Sequence, residues 1–428
     1  MAALAATVSL LGGVLSDSDP EAPAAAIPAR VSADLALSGF STGNTAQLIR
    51  DLQGKLRGGS RDARSHALLG LAYQQRARET GDPSFYPRAA GVLRRALALA
   101  PRSPLATSGL ASLALSQHRF HDALALSRRA QKLAPGAAGN YGLVGDALVE
   151  LGRYEEAFRA FDRMSALKPN LASYARVSYG RELLGRQEGA IRAMNLAVQA
   201  AGAQREPAAW THVQLGKLHF GRGELGPAAR EFRRALLAFP GYVYALDAQA
   251  RVEAARGRHG RALELARQAA EAVPLPEFVT TLGDLYRATG RKTLAREQYA
   301  LVGATERLLR ANGVRTDLES ALFKIDHAID LRRALAEARS AHHERPTIFA
   351  ADTLAWALAR NGRCEEGLRH SKQALRLGTR DASFFFHRGM IERCLGDTAK
   401  AGRWFARALD QNPHFSLLWS PVARKALR

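Results

Sequence analysis

The chain consists of short stretches in which apolar residues recur at helical spacing, and no run alternates apolar and polar residues for long enough to predict a strand. Proline ends many of these stretches, because it lacks the amide donor of a helix and clashes with the preceding turn. Three intervals between such prolines (101–135, 135–169 and 240–274) are 34 residues long, and a fixed period of this length predicts an array of helix pairs. Seven prolines each follow an alanine by 12 residues: Pro101, Pro135, Pro169, Pro240, Pro274, Pro346 and Pro413.

The unit from Gly139 to Asn170 has the clearest pattern. Its two apolar stretches are punctuated in order by Gly145, Gly152, Tyr154, Ala157, Phe161 and Pro169. We expect Gly145 to let the two helices approach closely, Gly152 to turn the chain between them, and Phe161 to fill the space between units. This order resembles the tetratricopeptide repeat, which has small residues at positions 8, 20 and 27, an aromatic residue at 24 and proline at 32. The resemblance implies an all-α, right-handed superhelical solenoid of helix-turn-helix repeats.

About ten such units follow one another, and the eighth is the weakest because Ile329 stands where the turn glycine belongs. A solenoid grows one unit at a time, so the 428 residues predict one elongated domain at 46–428 instead of several globular domains. The residues at position 20 are Ala89, Ala123, Ala157, Ala190, Ala228, Ala262, Ala295, Ala334, Gly367 and Ala401.

Three departures from the period are visible. The first unit carries seven extra residues, where Asp82 and Pro83 predict the N-cap and first residue of a delayed helix. Four extra residues at 201–207 lengthen the connection into the fifth unit, and the seventh unit continues as a longer helix that ends near Asn312. Insertions in a solenoid often mark the binding face. Drift in a tolerant loop is the alternative explanation.

The two ends of the chain differ from the array. Residues 1–45 comprise an apolar run at 2–15 and a linker rich in serine, proline and alanine that we expect to be flexible. The run is shorter than the roughly 20 residues of a membrane span and lacks the basic flank of a signal peptide. It is either a truncated signal or anchor segment or an ordinary disordered tail. Short capping helices are predicted at both ends of the array, from Leu48, Leu52, Leu56, Ser420 and Pro421.

The chain has two cysteines. Cys364 falls near the start of the second helix of the ninth unit, and Cys394 falls near the end of the first helix of the tenth. If these helices are antiparallel neighbours, the two sulfurs lie within disulfide range. A disulfide would fit an exported protein, whereas two separate buried thiols are the commoner arrangement. Neither cysteine has the CxxC spacing of a zinc site.

The formal net charge is +21, from 52 arginines and 9 lysines against 40 acidic residues. Such a charge attracts nucleic acid, anionic membranes or acidic protein segments. Many arginines, such as Arg94, stand on predicted solvated helix faces, and the richness in alanine and arginine resembles the codon bias of a high-GC bacterial genome. Aromatic and basic residues do not interleave in a local RNA-binding motif, which argues against nucleic acid as the partner. Membrane association through the N-terminal segment is an open alternative.

No catalytic constellation is found in the sequence. A GxSxG match at 39–43 lies in the linker, and a GxGxxG match at 221–226 follows a helix instead of the strand that this motif requires. We therefore expect a non-enzyme with no metal and no cofactor. Ligand-spaced carboxylate or cysteine partners are missing beside the paired histidines His118, His121, His342 and His343.

The resemblance also implies a concave groove lined by the first helix of each unit. Aromatic and charged residues there would bind a helix or an extended peptide, with packing inside the repeats as the alternative role. The favoured hypothesis is a scaffold that binds a protein partner, with a cell-envelope or exported location, and a cytoplasmic location is the alternative. The alternatives in function are a helical regulatory or signalling module and a basic surface that binds anionic membrane or nucleic acid. The predicted groove residues are Asp146, Tyr179, Trp210, Lys217, Phe220, Tyr244, Asp247, Arg251, Asp284, Arg287, Phe349, Asp352, Trp356 and Arg393.

Overall fold

The structure is a computed structural model that describes residues 45–59, 61–202 and 205–428. Within these ranges every regular element is a helix, so the all-α prediction is confirmed. The segment predicted at 1–45 lies outside the described residues except for Thr45. In chain order the helices are α1 (Thr45–Leu56), α2 (Ala63–Thr80), α3 (Phe85–Leu99), α4 (Pro104–Ser116), α5 (Phe120–Leu133), α6 (Ala138–Glu150), α7 (Tyr154–Leu167), α8 (Leu171–Leu183), α9 (Gln187–Ala200), α10 (Arg205–Gly221), α11 (Leu225–Ala238), α12 (Val243–Ala255), α13 (His259–Ala272), α14 (Pro276–Ala288), α15 (Lys292–Ala311), α16 (Asp317–His327), α17 (Leu331–Glu344), α18 (Ile348–Arg360), α19 (Cys364–Ala374), α20 (Ala382–Cys394), α21 (Thr398–Gln411) and α22 (Ser420–Ala426).

The helices from α2 to α21 pair into consecutive hairpins, numbered one (α2 and α3) to ten (α20 and α21). Helix α1 packs on hairpin one with Leu48 and Leu52 buried. Helix α22 packs on hairpin ten with Ala423 buried. Ser420 is the first residue of α22 instead of the predicted cap, because Trp419 occupies the cap position. The architecture is a solenoid of helical hairpins with a helix at each end.

The two helices of a hairpin approach closely where a glycine faces an aromatic ring. Gly145 on α6 faces Phe161 on α7, and a Cβ atom at position 145 would overlap the ring. Phe161 is 2% exposed, so the ring is part of the core. The same arrangement recurs in the pairs Gly216 with Phe232, Gly283 with Tyr299, and Gly389 with Phe405. Each hairpin of this type is therefore closed by a local contact of the kind that the repeat pattern predicts.

The three departures from the period are absorbed mainly by longer helices. In hairpin one, α2 has 18 residues and α3 begins at Phe85, so Asp82 and Pro83 are not the N-cap and first residue of that helix. Asp82 instead accepts a hydrogen bond from the amide of Ser84 at 2.9 Å. Helix α15 has 20 residues and ends at Ala311, which agrees with the predicted extension. Helix α10 begins at Arg205 and has 17 residues.

Hairpin eight turns without glycine. Ala328 and Asp330 adopt positive φ angles of 56° and 38° on either side of Ile329. The Asp330 side chain offsets part of the strain, because it accepts a hydrogen bond from the amide of Arg333 and caps α17. The weakest unit of the sequence pattern thus keeps the hairpin shape through a different turn.

The solenoid winds back on itself after five hairpins. The turn inside each of hairpins one to five contacts the segment that follows the hairpin five units later. Hydrogen bonds at four of these contacts join residues 190 to 196 positions apart. We call this line of contacts the seam. Its five contacts are Gly81 with Val273, Gln117 with Asn312, Tyr154 with Ile348, Leu183 with Thr379, and Phe220 with Asn412.

Polar contacts run along the seam beside an apolar cluster that contains Tyr154, Leu183, Ile348 and Phe384. Asn412 Nδ2 donates to the carbonyl oxygen of Phe220 at 2.8 Å, and the Ile348 amide donates to Tyr154 Oη at 2.9 Å. Thr379 Oγ1 donates to the carbonyl oxygen of Leu183. Because backbone carbonyls at helix ends have no partner within the helix, the Thr379 hydroxyl satisfies a group that α8 alone would leave open. The Phe220 carbonyl also accepts a hydrogen bond from the Gly223 amide in its own hairpin.

Arg345 is the charged centre of the seam. Its guanidinium lies 2.8 Å from Glu319 Oε1 and 3.2 Å from Glu150 Oε2, and all three side chains are at most 10% exposed. Burial raises the pKa of Glu150 to about 7, although Arg345 opposes the rise. Burial also disfavours the charge on Glu319, but Arg345 outweighs it and lowers the pKa of that carboxyl. Arg345 and Glu319 are therefore the pair that stays ionised at neutral pH.

Candidate functional site

The winding of the solenoid encloses a cavity of about 270 Å³. The first helices of hairpins three to six, α6, α8, α10 and α12, line one side of it. Residues 379–383, together with Asn412 and Phe415, line the other side from the following superhelical turn. The cavity is therefore formed by the predicted concave face and by a second turn that the sequence pattern does not reveal.

Eight of the fourteen predicted groove residues line the cavity. Each of them lies on the first helix of its hairpin. Residues three or four positions apart share one face of a helix, so the predicted residues of one helix face the same side. Phe349 comes from α18, in the second superhelical turn (hairpins six to ten), and the other seven come from hairpins three to six. These eight residues are Asp146, Tyr179, Trp210, Lys217, Phe220, Asp247, Arg251 and Phe349.

Two ion pairs, each with one buried and one half-buried partner, organise the charges in the cavity. Arg176 donates through Nε and Nη2 to the two carboxylate oxygens of Asp146, at 2.9 and 2.7 Å. Arg251 Nε donates to Asp247 Oδ2 at 2.9 Å. A bidentate pair of this kind fixes both side chains and neutralises them locally. Arg176 was not among the predicted residues, although it lies one helical turn before Tyr179 on α8.

Two buried polar atoms in the lining lack a hydrogen-bond partner in the part of the chain that the structure describes. They are Trp210 Nε1, a donor, and Asp247 Oδ1, an acceptor, and each residue is only 7% exposed. A buried polar atom without a partner costs roughly 1 to 3 kcal/mol, so native proteins keep few of them. Both atoms belong to residues that line the cavity.

Glu182 and Glu277 are further lining residues that the sequence reasoning missed. More than a third of the Glu182 surface reaches solvent, but the surrounding protein limits its hydration. This desolvation raises the pKa of Glu182 to about 7, and nearby Asp381 adds to the rise. Desolvation likewise raises the pKa of Glu277 to about 7. Lys217 partly opposes both shifts, so the ammonium group lies within the field of both carboxyls.

A sequence signal for Glu182 did exist. It follows Tyr179 by three residues on α8, so a groove stripe extended by one helical turn would have included it. Glu277 is the second residue of α14, and the next residue, Phe278, packs into the core at 1% exposure. The first turn of a helix is where the register of such a stripe is least certain.

Six predicted groove residues do not line the cavity. Asp352 pairs with His387 at 2.8 Å, and Asp284 accepts hydrogen bonds from Tyr299 and His327 at 2.8 Å each. Trp356 is 1% exposed, and its Nε1 donates to Asp326. For these three residues, packing within the chain is the observed role. The remaining three are Tyr244, which packs on Tyr242 and Phe278, and the exposed Arg287 and Arg393.

Cys364 and Cys394 are brought together by hairpins nine and ten. Cys364 is the first residue of α19 and Cys394 is the last residue of α20. Their Cα atoms are 6.0 Å apart, and their sulfurs are in bonding contact. This separation lies within the usual range for a disulfide.

Groups of three or more histidine, cysteine, aspartate or glutamate side chains that could hold a metal ion do not occur among the described residues. The same part of the chain contains no helix that is both long and apolar enough to cross a bilayer. The GxGxxG match at 221–226 forms the turn between α10 and α11, and the GxSxG match at 39–43 lies outside the described residues. The cavity is the candidate functional site because polar and aromatic side chains converge in it.

Comparison with known families gives the class of this protein. The family model described as the tetratricopeptide repeat matches three regions, residues 75–138, 213–275 and 353–414. These regions fall in hairpins one to two, five to six and nine to ten, so matches recur along the array. The chain is a tetratricopeptide repeat protein, and such repeats serve in general as scaffolds for protein interaction.

Solved structures confirm the solenoid fold. The human IFIT1 dimer with m7Gppp-AAAA aligns with a TM-score of 0.51 at 16% identity, covering 83% of this chain and 82% of that chain. The human IFIT1 dimer with PPP-AAAA aligns with a TM-score of 0.50 at 17% identity, covering 81% and 82%. At this identity the likeness concerns the fold alone. No curated protein sequence matches this chain significantly.

Proposed function

We propose that this protein is a non-catalytic scaffold that holds a peptide segment of a protein partner in the cavity. The observation that carries the proposal is the pair of orphaned polar atoms, Trp210 Nε1 and Asp247 Oδ1, in the lining. A peptide backbone offers both a carbonyl acceptor for the indole N–H and donors for the carboxylate. Aromatic and arginine side chains, which usually dominate binding energy at interfaces, stand beside them as Tyr179, Phe220 and Arg251.

Selection from a random peptide library tests this proposal. We expect the immobilised protein to enrich peptides that no longer bind a Gln214→Trp variant, because the added indole would fill the cavity that Gln214 lines. Gln268→Trp, on the exposed surface of α13, is the matched control and should bind the enriched peptides as the wild type does. Failure to enrich any peptide, or equal binding to the Gln214→Trp variant, would contradict the proposal.

We also propose that the protein works in an oxidising compartment, at the cell envelope or outside the cell. The juxtaposed sulfurs of Cys364 and Cys394 support this, since disulfides persist in such compartments and are rare in the cytosol. Rapid alkylation of thiols in native cells, followed by mass spectrometry without reduction, tests it. The expected product is one cross-linked peptide that contains both cysteines. Two alkylated thiols would contradict both the disulfide and the location.

A further inference from the structure

The formal charge of the cavity lining is opposite in sign to that of the whole chain. The whole sequence has a formal net charge of +21. The cavity lining, in contrast, has six acidic side chains and four basic ones, so the acidic groups are concentrated where the solenoid encloses space. The acidic residues are Asp146, Glu150, Glu182, Asp247, Glu277 and Asp381, and the basic ones are Arg176, Lys217, Arg251 and Arg380.

Ion pairs within the chain hold two of the four cations of the lining, and a third is hydrogen-bonded to an amide. Arg176 is held by Asp146, and Arg251 by Asp247 Oδ2. Arg380 Nε donates to Gln411 Oε1 at 3.1 Å, and Gln411 in turn donates to the backbone at the seam. Lys217 is the one cation of the lining whose side chain makes no hydrogen bond or ion pair among the described residues.

The negative charge is not used up in the same way. The side-chain carboxyls of Glu182 and Glu277 have no hydrogen bond and no ion pair within residues 45–59, 61–202 and 205–428. Asp247 contributes a third acceptor, because its buried Oδ1 has no partner there either. Two carboxyls and one carboxylate oxygen thus face one ammonium group. Carboxylates in a poorly hydrated space are stabilised mainly by cations.

We propose that the cavity selects a cationic peptide segment, one that presents an arginine or lysine side chain to Glu182, Glu277 and Asp247. This inference rests on the proposed function, since it names the chemistry of the peptide that the cavity holds. A guanidinium group carries five N–H donors and also stacks on aromatic faces. The lining supplies acceptors on those three acidic residues and rings on Trp210 and Tyr179. The indole Nε1 of Trp210 remains available to donate to a peptide carbonyl.

The same charges disfavour nucleic acid in the cavity. A nucleic acid backbone carries one negative charge per phosphate and binds through lysine and arginine. In this lining two of the four cations are already held by aspartates. A phosphate would therefore meet more carboxylates than free cations, and the arginine excess of the chain lies elsewhere.

Three labelled peptides of equal length test the proposal by fluorescence anisotropy. Each has a central tryptophan flanked by alanines that alternate with arginine, glutamate or glutamine. We expect the full chain to bind the arginine peptide at least about tenfold more tightly than the other two, as one close charge pair is worth this much. The double variant Glu182→Gln and Glu277→Gln should lose that preference. Glu155→Gln, an exposed site on α7, is the matched control and should keep it.

A second variant should change the affinity for the arginine peptide in the opposite direction. Lys217→Gln removes the resident cation and should strengthen binding of the arginine peptide severalfold, which a merely structural disturbance would not do. Lys217 and Asp381 face Glu182, and Lys217, Asp247 and Arg251 face Glu277. Because both glutamates have a pKa of about 7, affinity for the arginine peptide should rise from pH 6 to pH 8 as they lose their protons. Affinity for the glutamine peptide should not change.

The outcomes separate this inference from the proposed function. If the glutamine peptide binds as tightly as the arginine peptide and is lost in Gln214→Trp, the cavity binds peptides but the charge selection is wrong. Equal binding of the arginine peptide by the wild type and the double variant would also overturn the inference. So would weak binding of all three peptides, in which case the library selection alone decides the proposed function. Tighter binding of an oligoadenylate than of the arginine peptide would overturn it in favour of nucleic acid.

Discussion

The interior of a hairpin and the seam between superhelical turns differ in the contacts that hold them together. Inside hairpin three, Gly145 and Phe161 form a dry contact between neighbouring helices, and the same pair type recurs along the chain. At the seam, side chains such as Thr379 and Asn412 donate to backbone carbonyls about 190 residues away. The hairpin contact stabilises each repeat, and the seam contacts fix how closely successive superhelical turns approach each other. The cavity depends on both, because its two sides belong to successive turns.

The largest expected effect comes from breaking a hairpin. Phe161→Ala removes a ring that is 2% exposed, so it should lower the free energy of unfolding by about 3 to 5 kcal/mol. Arg94→Ala, at an exposed position on α3, is the control and should change it by less than about 0.5 kcal/mol. Urea denaturation followed by circular dichroism measures both. Equal shifts of the two variants would mean that the inner face of the helices has been assigned wrongly.

The next effect comes from opening the seam at its charged centre. Arg345→Met leaves Glu319 buried without its counterion, and losses of this kind cost about 3 to 5 kcal/mol when both partners are fully buried. We expect about 2 to 4 kcal/mol, because Glu150 can take up a proton near pH 7. Hydrogen exchange measures whether the seam opens. The Ile348 amide, which donates to Tyr154 Oη, should then exchange faster.

Arg339→Met is the matched control for this prediction. Arg339 is exposed on α17, in the same hairpin as Arg345, and lies 3.9 Å from Glu366 at the surface. Its loss should leave both the unfolding free energy and the exchange of Ile348 nearly unchanged. If the two variants behave alike, the contacts of Arg345 do not hold the turns together in solution.

The sequence could predict the hairpins because their contacts are local. Gly145, Ala157 and Phe161 stand at fixed offsets within one unit, so one repeat contains the information for its own packing. The seam could not be predicted in this way. Thr379 and Asn412 look like ordinary linker residues, and their partners lie far away in the chain at a distance set by the curvature of the whole array.

The same reason explains the mixed outcome for the groove. A helical stripe places residues on the inner face, and eight of them line the cavity, including Tyr179 and Trp210. The stripe cannot tell which inner positions are used by neighbouring hairpins. Asp352 was predicted as a groove residue, but the next hairpin supplies His387 as its partner. Glu277 was missed because it lies at the beginning of α14, where the register of the stripe is ambiguous.

The smallest expected effect comes from glycine-to-alanine substitutions in two hairpin turns, of which one contacts the seam and the other does not. Gly152 and Gly257 both end a first helix with positive φ, 70° and 77°, so alanine at either position costs roughly 1 to 2 kcal/mol of backbone strain. At Gly257 an added Cβ meets nothing within 4 Å, whereas at Gly152 it meets the carbonyl of Pro346 across the seam.

Gly152→Ala should therefore be more destabilising than Gly257→Ala by about 1 to 2 kcal/mol in urea denaturation, since relief requires the two turns to move apart. The backbone cost is shared and cancels in the difference, so the difference reports the seam alone. Equal destabilisation would show that the turn of hairpin three does not touch the second superhelical turn in solution. The cavity would then be open on the side of residues 379–383, and its charge selection would have to come from the first helices of hairpins three to six alone.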